Sequence, residues 1–166
     1  NGRINDMAWR YLGTKKMLMP FYKHNETYPQ QNNDEYQFGD FGGQGKCFPS
    51  VPWQVRATYM VEAKPISDSH PLSKRIYYID AQTFIPIAGR YYDRNDKIWR
   101  IAIGSFSHPD FHLTQNKGSG VATPTLVTMV DVQAHHCTTL KMKTIINSPK
   151  VRRKDFTVQS LRSKGK

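Results

Sequence analysis

The sequence predicts a mainly β chain, an antiparallel meander with little helix, and three observations carry that expectation. Apolar and polar residues alternate with period two over residues 53–63, the pattern of a half-buried strand. Short polar turns, such as Asp93-Arg94-Asn95-Asp96, separate successive β-rich runs, and short turns force sequential strands to pair antiparallel. No long stretch has the i, i+3, i+4 apolar spacing of an amphipathic helix.

The elements follow in order. A first strand is expected over Met7–Met19, with Trp9, Tyr11 and Met17 on one face and Arg10, Leu12 and Leu18 on the other. Residues 25–50 are polar and rich in Gly, Asn and Gln, and read as a long insertion or binding loop. In the strand at 53–63, Trp53, Val55, Ala57, Tyr59, Val61 and Ala63 form an apolar face expected to point inward. Gln54, Arg56, Thr58, Met60 and Glu62 form a polar face expected to point outward. Residues 64–73 hold two prolines and read as a turn-rich excursion. Strands at 74–80, 84–92 and 97–106 come next, joined by Asp80-Ala81-Gln82-Thr83 and Asp93-Arg94-Asn95-Asp96. Residues 109–123 link them to a hairpin of 125–133 and 137–146, which turns at Ala134-His135-His136. Residues 156–161 form a last short segment, a strand or a helical turn.

Composition bounds the function classes. The chain of 166 residues suits a single domain with a real core. No apolar run approaches the roughly 18–20 residues of a membrane-spanning helix. The first residue is Asn1, and strand pattern begins soon after it, so the chain reads as a fragment or a processed product. Cys47 and Cys137 have neither a redox-pair nor a zinc spacing; a disulfide between them and two separate thiols are both open. The net charge is +11, and residues 147–166 form a basic C-terminal segment. Such a segment is either a solvated end or an attraction for nucleic acid, anionic lipid or an acidic partner.

An ordered series of segments carries a resemblance. Asn5-Asp6-Met7-Ala8-Trp9-Arg10-Tyr11-Leu12-Gly13-Thr14-Lys15-Lys16-Met17 comes first, then Met19-Pro20-Phe21-Tyr22. Val61-Glu62-Ala63, Lys74-Arg75-Ile76-Tyr77-Tyr78-Ile79-Asp80 and Arg90-Tyr91-Tyr92-Asp93 follow. Ile98-Trp99-Arg100 and Asp155-Phe156-Thr157-Val158-Gln159-Ser160-Leu161-Arg162 complete the series. It resembles a family of uncharacterised Gram-negative periplasmic proteins labelled outer-membrane lipoprotein-sorting-like, whose fold is similar to the LolA/LolB carriers. The resemblance implies an incomplete, curved half-barrel around a hydrophobic groove. It also implies that residues 1–166 are the C-terminal part of a larger β-barrel-like periplasmic protein, with the N-terminal part missing. A lipid, lipoprotein or other hydrophobic ligand is the implied partner, together with an envelope transport partner. The long loop at 25–50 and His135-His136-Cys137 depart from the pattern.

The aromatic strands are where function is sought. Tyr77 and Tyr78, Tyr91 and Tyr92, and Trp99 put rings on both faces of neighbouring strands. Cross-strand packing explains such rings, and so does a ligand groove. The groove reading selects Trp9, Trp53, Tyr59, Tyr78 and Trp99 for a concave face. Arg90 and Arg100 would then stand at its rim for an anionic head group, or pair with Asp80, Asp93 or Glu62. No Gly-x-Ser-x-Gly elbow is present, and no helix follows the glycines at 39–45, so neither a serine nucleophile nor a phosphate loop is expected. His135, His136, Cys137 and Asp131 have metal-ligand chemistry, but neighbours along a strand diverge, and no metal or other cofactor is expected. The leading expectation is a non-enzymatic periplasmic protein that binds or carries a hydrophobic ligand. The alternatives are an interaction module of the envelope and, less favoured, a basic β-domain for nucleic acid, which would need cations interleaved with the rings.

Overall fold

The alternating segments assemble into one curled sheet in the computed structural model, which describes residues 3–22, 30–32, 35–37 and 39–165. The strands are β1 (Met7–Met19), β2 (Phe21–Tyr22), β3 (Gln30–Asn32), β4 (Glu35–Gln37), β5 (Asp40–Gly42) and β6 (Phe48–Ser50). They continue with β7 (Gln54–Pro65), β8 (Lys74–Asp80), β9 (Pro86–Tyr92), β10 (Ile98–Ser107), β11 (Thr123–Asp131) and β12 (His136–Lys141). The main sheet runs β1-β7-β8-β9-β10-β11-β12, and from β7 onward each strand pairs with its successor in sequence. That is the meander, and every pairing along this path is antiparallel.

Strand β1 zips to β7 from Met7 opposite Pro65 to Met19 opposite Gln54. The register slips between Tyr11 and Gly13, where Gly13 has φ of 122°, a conformation that suits glycine in a bulge. Beyond Pro20 the chain continues as β2 and lies parallel to β10, Phe21 beside Phe106 and Tyr22 beside Ser107. The continuation of an edge strand therefore reaches a strand four places away, so the sheet curls on itself. These two residue pairs leave the barrel incomplete.

The curl defines an inner face. Phe21 packs there with Met19, Tyr78 and Ile87, and Met17, Met60, Ile76 and Phe106 close around them. A second inner cluster joins Phe41 and Val51, from the β5–β6 hairpin and its exit, to Leu126 of β11. The hairpin is held to β12 by the disulfide Cys47–Cys137 and by the Lys141 Nζ–Asp40 Oδ1 ion pair at 2.7 Å. Within the segment read as one long loop, residues 25–29, 33, 34 and 38 lie outside the described residues, and the remainder carries these short strands.

One expectation is reversed. In β7 the polar face points inward: Thr58 and Glu62 are buried, while Val55 on the other face is 66% exposed. Three of the inward polar groups are partnered across strands. Thr58 Oγ1 donates to Lys15 O, Glu62 accepts from Arg10, and Arg56 binds Asp80. Buried polar groups are tolerated when so satisfied. The terminal segment is helical: a 3-10 turn at Arg153–Phe156 leads into α1 (Val158–Lys164), capped where Thr157 Oγ1 accepts from Ser160 N. Among the described residues no helix is long and apolar enough to cross a membrane.

Candidate ligand-binding site

Where β2 crosses the inner face, the sheet leaves a cavity of about 740 Å³. Phe21, Ile85, Val121 and Ala122 supply apolar wall, and Gln54, Arg56, Gln82 and Thr83 supply polar wall. Local sequence explains the placement. Phe21 is carried there by the break at Pro20, and Ile85 by the turn after Asp80, in which Phe84 N returns to Asp80 O at 2.8 Å. Val121 and Ala122 come from the link before β11. This volume lies in the range of small-molecule pockets, as does the mixture of apolar wall with a few polar groups.

Arg56 is fixed and neutralised. Its Nε and Nη2 donate to the two Asp80 oxygens at 2.7 and 2.8 Å, and Nη2 also reaches Gln82 Oε1 at 3.1 Å. The guanidinium carbon lies 4.4 Å from the Phe21 ring centroid, a cation–π distance that ties β2 to β7. Burial alone would raise the Asp80 carboxyl; the Arg56 bonds, with Thr83 N and Oγ1, outweigh it and hold it below the ordinary value. The cavity therefore has a wall of mixed polarity in which the Arg56 charge is balanced by Asp80. The signal for Arg56 and Asp80 lay in the sequence as two charges within strand runs of opposite register. Pairing them needs the β7–β8 register, in which Thr58 lies opposite Asp80.

The residues selected from the sequence divide between the two faces. Tyr78 is on the inner face and is core, and Arg90 stands over it with 5.6 Å from guanidinium to ring centroid. Trp9 and Tyr59 are on the outer face, where Trp9 stacks on Tyr77 and Tyr59 meets Tyr11 and Phe84. Trp99 donates to Asp131 Oδ2 at 2.9 Å, with the Arg100 guanidinium 4.1 Å from its ring. Trp53 precedes β7 and donates to Pro49 O at 3.2 Å. The five rings thus do not line one surface, because the strands carrying them contribute different parities to the inner face. Of the carboxylates considered for the two arginines, Asp80 takes Arg56, Glu62 takes Arg10 and Asp93 takes Gln133, while Arg100 pairs with Asp131 at 3.4 Å.

Groups with metal-ligand or proton-transfer chemistry are committed elsewhere. Cys137 is in the disulfide, and Asp131 accepts from Ala134 N, Trp99 and Arg100. The Ala134 bond first, then those from Trp99 and Arg100, hold the Asp131 carboxyl below its usual range against the opposing effect of burial. His135 sits at φ of 54° in the turn before β12. Among the described residues no cluster of three or more His, Cys, Asp or Glu side chains is placed to hold a metal ion. His112 is pushed down to about 4 by burial, beside Asn116, whose Nδ2 lies 2.8 Å from His112 Nδ1.

Comparison with known proteins supports the fold. The family model described as a protein of unknown function (DUF1329) matches residues 1–162. A domain from Vibrio parahaemolyticus that is named for outer membrane lipoprotein sorting superposes with a TM-score of 0.58 at 12% identity, over 97% of this chain and 50% of that one. A DUF1329 family protein from Desulfovibrio piger ATCC 29098 superposes with a TM-score of 0.54 at 11% identity, over 95% of this chain and 48% of that one. A LolA superfamily protein from Nitrosomonas europaea aligns with a TM-score of 0.48 at 14% identity, over 95% of this chain and 51% of that one. The chain thus spans about half the length of the solved structures it matches. No functionally curated protein matches it.

Proposed function

The chain belongs to the family described as a protein of unknown function (DUF1329), and from that premise and the geometry above we propose that it forms the ligand-holding half of a periplasmic, non-enzymatic carrier for a lipid or another hydrophobic molecule. The observation that carries this reading is the cavity of about 740 Å³ where β2 crosses the inner face, whose apolar wall comes from Phe21, Ile85, Val121 and Ala122. Ile85 on its wall is only partly buried, as are Met60, Ile76 and Phe106 packed on the adjoining core, so the inner face offers apolar surface that the core does not fully cover. The binding mechanism is burial, worth about 25 cal/mol per Å² of apolar surface removed from water. No bond is made or broken. The relative named for lipoprotein sorting supports the class of ligand at the level of fold alone.

The test is uptake of a fluorescent fatty acid by delipidated protein. Ala122→Trp, which fills the cavity, abolishes saturable uptake, while Tyr11→Ala on the outer face leaves it unchanged. Equal uptake by the Ala122→Trp variant, or none by the wild type, sinks the reading.

A second reading is favoured by the opposite side of the sheet. Trp9 and Tyr11 are 46% and 61% exposed on the outer face, and among the described residues β1 pairs along its length with β7 alone. Open edges and apolar sheet faces invite pairing. In this reading the N-terminal part of the same protein, or an envelope partner, docks on that face. Co-expression of the parent protein's preceding region decides it: protection of the β1 amides from hydrogen exchange is the expected result, and unchanged exchange refutes it.

A further inference from the structure

The segment that follows the sheet carries its apolar side chains on the outside. Between residues 150 and 164 the chain has six cations, Lys150, Arg152, Arg153, Lys154, Arg162 and Lys164, and one acid, Asp155. It folds into the 3-10 turn Arg153–Phe156 and the helix α1, and neither contains a buried residue. Phe156, Val158 and Leu161 are 79%, 67% and 75% exposed. Thr157 Oγ1 accepts from Ser160 N at 3.2 Å, and Asp155 accepts from Arg152 N at 2.8 Å. Local polar bonds therefore form this segment without apolar packing.

A helix that packs on a domain core turns its apolar stripe towards that core, and α1 does the reverse. At about 100° per residue, Val158 and Leu161 share one face, with Arg162 on one side of them and Lys164 on the other. Gln159, Ser160 and Ser163 take the opposite side, and Ser160 is the one residue of the helix that is half-buried. The charge is also left over. Lys164 Nζ lies 3.5 Å from Asp155, and among the described residues no carboxylate is within ion-pair distance of Lys150, Arg152, Arg153, Lys154 or Arg162.

An exposed apolar face flanked by cations is complementary to an anionic lipid surface. The apolar side chains enter the boundary of the acyl region, while the long cationic ones reach back to the head-group phosphates. Nucleic acid fits less well, because single-strand binding uses several stacking rings and this segment has Phe156 alone. A second copy of the chain is opposed by the net charge of +11. We propose that residues 150–164 form a docking surface for an anionic phospholipid bilayer, with Phe156, Val158 and Leu161 inserted and the six cations at head-group level. This surface is separate from the inner cavity and does not rest on what the cavity holds.

The test sediments the whole chain with vesicles of phosphatidylcholine containing phosphatidylglycerol, and with phosphatidylcholine alone, at fixed ionic strength. Saturable binding to the anionic vesicles, and little to the neutral ones, is expected. Each cation near an anionic surface contributes about fivefold, so Arg152→Gln/Arg153→Gln/Lys154→Gln weakens binding about 100-fold. Phe156→Ser/Leu161→Gln keeps every charge and weakens binding at least about tenfold, which separates docking from adhesion by net charge. All five side chains are exposed, so both variants keep the wild-type urea midpoint. No binding to the anionic vesicles overturns the proposal, as does undiminished binding by Phe156→Ser/Leu161→Gln. Retention on duplex DNA without vesicle binding overturns it in favour of nucleic acid. Loss of vesicle binding when the parent protein's preceding region is co-expressed overturns it in favour of that region.

Discussion

Removing the Asp80 carboxylate tests the account of the inner face most directly. Asp80 is 1% exposed and accepts four bonds: from Arg56 Nε and Nη2 at 2.7 and 2.8 Å, and from Thr83 N and Oγ1 at 2.8 Å each. Asp80→Ala strands a guanidinium whose side chain is 14% exposed. Breaking a buried pair from one side costs about 3–5 kcal/mol, because the surviving charge stays desolvated. The loss also reaches β2, since the same guanidinium sits 4.4 Å from the Phe21 ring. Urea unfolding followed by tryptophan fluorescence reads the change. The double variant Arg56→Met/Asp80→Ala recovers most of it, since no unpaired charge remains. The pH dependence has a definite sign. The Asp80 carboxyl is lowered in the folded state, so the folded protein binds fewer protons there than the unfolded chain. Its contribution is present above the ordinary carboxylate pKa and is lost as pH falls through the lowered value. A loss under about 1 kcal/mol for Asp80→Ala would refute the claim that the polar face of β7 is held inward by this pair.

Three further outcomes are expected. Lowering the pH from 6.5 towards 4 destabilises the protein by up to about 3 kcal/mol through His112, whose folded value is pushed down to about 4 so that the folded state resists protonation; His112→Gln flattens the urea midpoint over that interval. Reducing the Cys47–Cys137 bridge, which spans 90 residues, costs about 4 kcal/mol by loop entropy and lowers the melting temperature by roughly 10 °C; equal melting curves with and without dithiothreitol contradict this. Gly39→Ala places a Cβ 2.5 Å from Val51 Cγ1 and 2.9 Å from Leu126 Cδ1, and overpacking of this kind costs about 1–3 kcal/mol in calorimetry.

The local elements were legible because they depend on neighbours along the chain. β1 and β8 lie where alternation put them, at Met7–Met19 and Lys74–Asp80, and the turn at Asp93-Arg94-Asn95-Asp96 closes with Asp96 N bonding Asp93 O. Local pattern allows either strand or helical turn at the terminal segment, and Thr157 decides for helix by capping it. The residues that line the cavity were not legible. Trp9, Tyr59 and Tyr78 are chemically alike, and only the sheet's curl separates the first two from the third. Phe21 and Ile85, which do border the cavity, are single apolar residues beside a proline and a turn, with no periodic signal of their own.

The sequence by itself determined that the chain alternates, where the strands lie and that they form a meander, since side-chain parity and turn chemistry act over a few residues. The tertiary structure alone decided which parity faces inward. Alternation gives every strand two faces, and the covered one is chosen by what crosses it, here β2 and the β5–β6 hairpin. Once β2 lies on the side of Arg56, Thr58 and Glu62, those polar groups must find partners, and they do so in Asp80, Lys15 O and Arg10, separated by 24, 43 and 52 residues. Contacts at such separations cannot be read from spacing, because they exist only after the strands have paired and the sheet has curled.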